Sequence, residues 1–481
     1  SHNNRNNIAM EKFKLLPLLF ICIYSSTFAN TRLDRHLSAT EALKDLNFMY
    51  KGRGMVISPD LVKLYDTMKK LGLGLGETGI LNKRWGLNLK DGEIKGFFSL
   101  PYKNMQMGVL GCVACHSGKA AGKYIIGLGN KNIDVGQIGA DAYLAQLFWG
   151  AFPRPNKPEF KEIHQRAMQF TGVLKNKNIN NLTQGLVPTS QVKTWFYEVT
   201  NTPMPKDFGR GQVKVPQLWG YGEKRKSGSF WDGFADGVLP GWAVAVELRG
   251  GQSAQNVREY ENKIHHAEDM LGDILPPDYP FEINSQMAKK GKELFNQTCF
   301  KCHGTYERDE NNHPIFKSPK FIPHHVVKTD PERIDFVTDD FLALIDINPL
   351  NDLMKYKKRE NRRGYVAPRL WGIWSRFPYL HNASVPTIYD LLSPASERPQ
   401  FFDLRESGEK ERFDFERLGL KVARDKNSRQ YKSNARNAQK GKRHTYYTER
   451  VGHKNIGHEF KFYKDLTHTD KLNLIEYLKT L

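Results

Sequence analysis

Two segments of this chain carry the same pattern of five residues. Cys112-Val113-Ala114-Cys115-His116 and Cys299-Phe300-Lys301-Cys302-His303 are both C-x-x-C-H. The chain has five cysteines, and the fifth, Cys22, sits in an apolar stretch near the start. So sparse and odd a count excludes a disulfide-dense scaffold. Two thiols separated by two residues lie on one turn and can each add across a haem vinyl group. The histidine that follows then points its imidazole at the iron. A Cys₄ zinc site, a pair of disulfides or a thioredoxin-like redox pair would also use such spacing. None of these asks for a histidine after each pair. Two covalently bound haem c groups are therefore expected, with His116 and His303 as proximal iron ligands.

The start of the chain reads as an export signal. Met10-Glu11-Lys12-Phe13-Lys14 forms a short basic region, and Leu15 to Ala29 is apolar and then small, with Thr27-Phe28-Ala29 as a cleavage site. The apolar run is too short to span a bilayer, and the competing reading is a short anchored or buried helix. A periplasmic or secreted protein with no transmembrane anchor after processing is the expectation. Lys and Arg outnumber Asp and Glu by 72 to 52, a formal net charge of +20. Nucleic acid is not an expected partner, because no aromatic-interleaved basic motif accompanies that charge.

The pattern along the chain predicts a mainly α fold with two cytochrome c-like haem lobes, extended loops and little β. Ser285 to Thr298 has apolar Met287, Leu294 and Phe295 with lysines on its other faces, a helix running into the second motif. Thr467 to Leu481 reads as a closing helix, with Thr469 available as its cap and Leu472, Ile475, Leu478 and Leu481 on one stripe. Gly96 to Gly111, before the first motif, is punctuated by Gly and Pro and reads as strand or loop. Pro276-Pro277-Asp278-Tyr279-Pro280 is the best boundary. This gives a leader at 1–29, an N-terminal haem domain at 30–280 and a C-terminal cytochrome c-like domain at 281–481. The last carries a basic insertion at about 403–454, where Lys421 to Lys454 alone holds eleven Lys and Arg against Asp425 and Glu449. It is either a solvated loop or a docking surface for an acidic partner.

The second motif is followed by Phe377-Pro378-Tyr379-Leu380-His381-Asn382-Ala383-Ser384-Val385-Pro386-Thr387. With the two widely separated C-x-x-C-H motifs, this segment resembles the bacterial dihaem cytochrome c peroxidase superfamily. Ile388-Tyr389-Asp390-Leu391-Leu392, Ser396-Glu397-Arg398-Pro399 and Asn455-Ile456-Gly457-His458-Glu459-Phe460 look more like its rubber-oxygenase-type branch. The resemblance is specific from about Ser285 onward. It departs from the peroxidases at Ala383, where they carry glycine. It implies one haem that passes electrons and one that meets peroxide or dioxygen, with calcium as a further candidate ion.

In the peroxidases a methionine shortly before the final helix completes the second haem. Here no methionine follows Met354, and His458 stands eight residues before Leu466. The resemblance thus makes His458 the distal ligand, with His381 and His453 as alternatives. His381 is otherwise expected at the haem edge, near a propionate. Around the first haem no histidine follows His116 until His164. Phe230, Trp231 and Phe234 are candidates for an apolar distal wall there, or simple core, with Asp232 beside them and Glu247 as a candidate acid or base. Trp149 or Trp195 could relay electrons between the haems.

Two functions fit these residues. One is an oxidoreductase whose first haem activates peroxide or dioxygen while the second transfers electrons. Its partners would be a small redox protein or a small-molecule or organic substrate. The other is an electron-transfer cytochrome with both irons six-coordinate.

Overall fold

The computed structural model describes residues 55–57, 70–72, 79–102, 105–148, 182–190, 193, 196–197, 200–203, 205, 209–219, 231, 233, 258–259, 261–262, 274–308, 310, 314–317, 321–354, 356 and 363–481. The leader, Trp149, His164, Trp195, Phe230, Asp232, Phe234 and Glu247 lie outside them. The described fold is mainly α, with small antiparallel sheets of two or three strands.

The Gly- and Pro-punctuated stretch before the first motif forms a hairpin. Strand β1 (Met55–Ile57) pairs with β3 (Met105–Leu110), which also pairs with β2 (Phe97–Tyr102). The hairpin feeds α1 (Cys112–Cys115), one turn carrying the first cysteine pair. A second hairpin follows, β4 (Ser117–Ala120) with β5 (Lys123–Ile126), and then α2 (Val135–Phe148). Ile80, Leu81, Trp85, Leu87, Leu110, Ala114 and Ile133 bury a small core beneath α1. Asp141 anchors it from α2, accepting hydrogen bonds from Trp85 Nε1 at 2.8 Å and from the Arg84 guanidinium at 2.6 Å.

A larger core surrounds the second motif. Helix α3 (Ser285–Gln297) is capped by Asn284, whose side chain accepts from Met287 N. It runs into α4 (Phe300–His303), the turn that holds Cys302 and His303. Helix α6 (His468–Lys479) closes the chain against α3. The two backbones touch at Gly291, where a Cβ would fall 1.9 Å from Asn473 O. Beyond that contact the Phe295 and Tyr477 rings pack at 5.2 Å.

The expected closing helix is present, but Thr469 does not cap it. The cap is Thr467, whose hydroxyl accepts from Asp470 N while the Asp470 carboxylate accepts from Thr467 N, a reciprocal pair that satisfies two terminal donors. The stripe of Ile475, Leu478 and Leu481 is buried and is joined by Leu474.

The basic stretch after Phe402 is packed. Strand β7 (Phe401–Asp403) pairs with β8 (Thr445–Tyr447), and Phe402 stacks on Tyr446 at 4.9 Å with planes 3° apart. Helix α5 (Arg429–Gln439), capped by Ser428, lies between them in sequence. Two cations of this stretch pair with acids outside it: Arg424 holds Asp390 with two bonds of 2.9 Å, and Arg443 reaches Asp134 at 3.3 Å. Gly122 N also donates to Gly408 O, and Gln184 N to Arg443 O, so this stretch ties the first hairpins to the C-terminal core.

Candidate haem site

Both C-x-x-C-H turns hold their histidine in the same way. His116 Nδ1 lies 3.1 Å from Pro216 O and His303 Nδ1 lies 2.9 Å from Pro368 O. A carbonyl oxygen only accepts, so each Nδ1 carries the proton and each Nε2 is left as a lone-pair donor. A metal-bound histidine is oriented in this way by its other ring nitrogen.

Around the second turn the fold leaves a cavity of about 450 Å³. Cys299, Cys302 and His303 line one side, and His458, Phe460, Phe462 and Tyr463 line another. Leu391, Leu392, Leu474 and Leu478 add an apolar wall, and Lys214, Trp231, Arg376, Tyr379 and His381 line the rest. His303 and His458 face each other with ring centroids 6.1 Å apart and planes at 55°. A metal–imidazole bond is about 2 Å long, so one metal between two imidazole nitrogens sets the ring centres about 6 Å apart. The donors, the apolar wall and the volume fit haem c.

His458 is held in place by backbone and side chain. Its φ is +54°, in the left-handed region, and its N–H donates to Val327 O at 2.7 Å. Gly457 before it runs so close to Lys328 that a Cβ would meet that carbonyl carbon at 2.3 Å. Arg398 donates to Gly457 O at 3.0 Å and to Asn455 O, pinning the loop from below. Tyr463 Oη lies 2.8 Å from His458 Nδ1, so the ring again presents Nε2 to the cavity. Burial, the neighbouring His303 and Arg398 push the His458 imidazole down to about 3. Burial lowers His303 as well. Both rings are therefore neutral near pH 7, the form a metal requires.

The other histidines are placed differently. His453 is fully buried away from this cavity, with Nε2 at 2.7 Å from Thr183 Oγ1 and Nδ1 at 2.9 Å from Gln212 Nε2. His381 lines the cavity but is engaged with Tyr365, stacked at 4.6 Å with Nε2 at 3.2 Å from its hydroxyl. Trp231, assigned from sequence to the first haem, stands in the wall of the second cavity, its ring 6.5 Å from that of His381. Asp232 and Glu247 lie outside the described residues. Sequence reasoning missed Tyr463, Arg398, Lys214 and Arg376. Of these, only Arg398 stood inside a quoted motif.

The wall from β6 (Gly364–Val366) to β7 is a recognisable unit. Residues 364–403 match the family described as RoxA-like, cytochrome c-like. The RoxA-like segment contributes Tyr365, Pro368, Arg376, Tyr379 and His381 to the site. It bears out the cytochrome c part of the resemblance and its RoxA-type branch, and a cytochrome c-like domain carries covalently bound haem c. The chain is also 32% identical over 213 residues to "Uncharacterized protein y4iM" of Sinorhizobium fredii (strain NBRC 101917 / NGR234), covering 39% of this chain and 45% of that protein. Over 124 residues it is 38% identical to "Uncharacterized protein y4iJ" of the same strain, covering 24% of this chain and 18% of that protein. The chain thus spans under half the length of these relatives. Among the described residues no helix is long and apolar enough to cross a membrane, and no cluster of three or more His, Cys, Asp or Glu forms a further metal site.

Proposed function

We propose that the chain is an exported dihaem c-type cytochrome acting as an oxidoreductase. Cys299 and Cys302 would hold its C-terminal haem, and His303 and His458 would supply nitrogen ligands to the iron. The observation that carries this reading is the pair of imidazoles facing across one cavity at 6.1 Å. When bound, haem c supplies an iron that changes oxidation state by one electron. Ligation by both histidines would leave that iron to electron transfer and would close it to small ligands. His303 is aimed by Pro368 O, His458 by Tyr463, and the leucine wall keeps water from the pair.

The first motif carries the reactive site in this reading. His116 would be held as an iron ligand by Pro216 O, and no histidine follows it in the sequence before His164. A haem held there by Cys112, Cys115 and His116 would supply the site for peroxide or dioxygen, and the C-terminal haem would supply electron transfer.

The test is a spectrum of the fully reduced holoprotein with and without CO. One iron should bind CO and the other should stay low-spin. Two irons inert to CO would leave the electron-transfer cytochrome as the function. The substrate class belongs to the same proposal: a small periplasmic donor protein or an oxidisable organic molecule.

A further inference from the structure

Between the two C-x-x-C-H turns lies a seam of positive charge. Lys131 follows Asn130, whose N–H donates to Cys115 O of the first turn and whose side chain donates to Ala114 O. Lys131 is buried, with Nζ 3.5 Å above the Phe377 ring and 2.8 Å from Ser375 O. Lys214 Nζ donates to Arg376 O at 2.6 Å and to Pro378 O at 2.8 Å. Arg376 is buried, donates to Arg369 O through one terminal nitrogen, and has an Nε with no partner among the described residues.

Lys214 and Arg376 line two cavities at once. One is the large cavity of Cys299, Cys302 and His303, and the other is a small one that Lys131 and Asn130 share. Among the described residues neither cavity has an aspartate or glutamate in its lining, and none of their carboxylates pairs with any of the three cations. Burial of like charges without a counter-charge is costly, and the backbone carbonyls that solvate these groups supply dipoles but no negative charge. Burial lowers Lys131 far below the usual lysine range, and burial together with the charges of Arg376 and Lys131 lowers Lys214 likewise. An anion placed here restores the charge on both.

We propose that Lys214 and Arg376 form a carboxylate seat that takes the propionate groups of the C-terminal haem, with Lys131 behind them as a third positive charge. This rests on the haem reading of the cavity. Arg376 offers Nε, and Lys214 has one N–H left after its two carbonyl bonds. Charge-assisted bonds of this kind are the strong ones. The seat fixes which edge of the haem points inward, toward the first motif. It also neutralises the propionates at the edge nearest the other haem. A buried cation beside the propionates disfavours the ferric form, so the seat raises the midpoint potential of that haem.

The experiment compares holoprotein carrying Lys214→Met, Lys214→Arg and Arg376→Gln with the unaltered holoprotein. Each preparation is first assayed for haem as the pyridine haemochrome, so loss of haem would count against the cavity reading and not against the seat. With haem present, Lys214→Met and Arg376→Gln should each lower the midpoint potential of one haem and shift its propionate bending band in the resonance Raman spectrum. Lys214→Arg should restore both. Unchanged potentials and an unchanged propionate band in Lys214→Met and in Arg376→Gln would overturn the proposal. So would a potential in the unaltered holoprotein that moves with chloride at constant ionic strength, because an exchangeable anion would then occupy the seat.

Discussion

His303 and His458 are 155 positions apart in the chain, yet their imidazole rings meet across one cavity at 6.1 Å, each with Nδ1 tied to a neighbour and Nε2 turned inward. Local structure produces each half. A single helical turn after α3 sets His303, and a left-handed residue after Gly457 sets His458. Long-range packing of α6 on α3 and of the 364–403 segment on both brings the halves together. Among the described residues no carboxylate pairs with either ring, and burial lowers both imidazoles, so the pair is neutral near pH 7.

Tyr463 Oη lies 2.8 Å from His458 Nδ1. In the proposed haem site, with Nε2 on the iron, Nδ1–H would donate to Tyr463, make the imidazole more basic and favour ferric iron. Tyr463→Phe should leave the haem low-spin and raise its midpoint potential, at a stability cost of about 1 kcal/mol. A potentiometric titration that shows no change would remove Tyr463 from the account.

Haem content separates the two turns. Replacing Cys299 and Cys302 together by Ala should leave one covalent haem per chain, and replacing Cys112 and Cys115 should leave the other. The unaltered protein should carry two. Pyridine haemochrome absorbance per mole of protein measures this directly, and a value of one in the unaltered protein would contradict the dihaem proposal.

The helix crossing at Gly291 holds the second turn in position. Gly291→Ala puts a methyl 1.9 Å from Asn473 O, so α3 and α6 must separate. The expected cost is about 1–3 kcal/mol, the usual range for overpacking a tight contact. Thermal unfolding followed by circular dichroism should show a clear drop in Tm. An unchanged Tm would mean that the two helices slide past each other freely.

The closing helix depends on its N-terminal pair. Thr467→Ala removes the hydroxyl that accepts from Asp470 N, and should lower stability by about 1 kcal/mol. Thr469→Ala, at the position favoured by sequence, should change it much less.

What was legible in the sequence was local. The C-x-x-C-H turns, α3 and α6 could be read because ligand spacing and apolar periodicity act over a few residues. His458 was singled out by its place before the last helix, and its ring stands 6.1 Å from that of His303. Thr467 was passed over for Thr469 because both are threonines one turn from the same apolar stripe, and only the reciprocal bond with Asp470 separates them. Trp231 could not be placed, since its wall is built by Tyr365 and His381 from far along the chain. The seat of Lys214 and Arg376 was hidden for the same reason: its cations are 162 positions apart and each looks like surface charge alone. The basic stretch after Phe402 looked like loop because its strands are three residues long and its ion pairs reach Asp134 and Asp390 outside it.

The central claim is that His458 and His303 share one iron, and the most direct measurement is low-temperature electron paramagnetic resonance of the ferric holoprotein before and after His458→Ala. The unaltered protein should show a low-spin bis-histidine signal that disappears in His458→Ala and is replaced by a high-spin one, with haem content unchanged. Persistence of that low-spin signal in His458→Ala, or its loss in His381→Ala instead, would contradict the account.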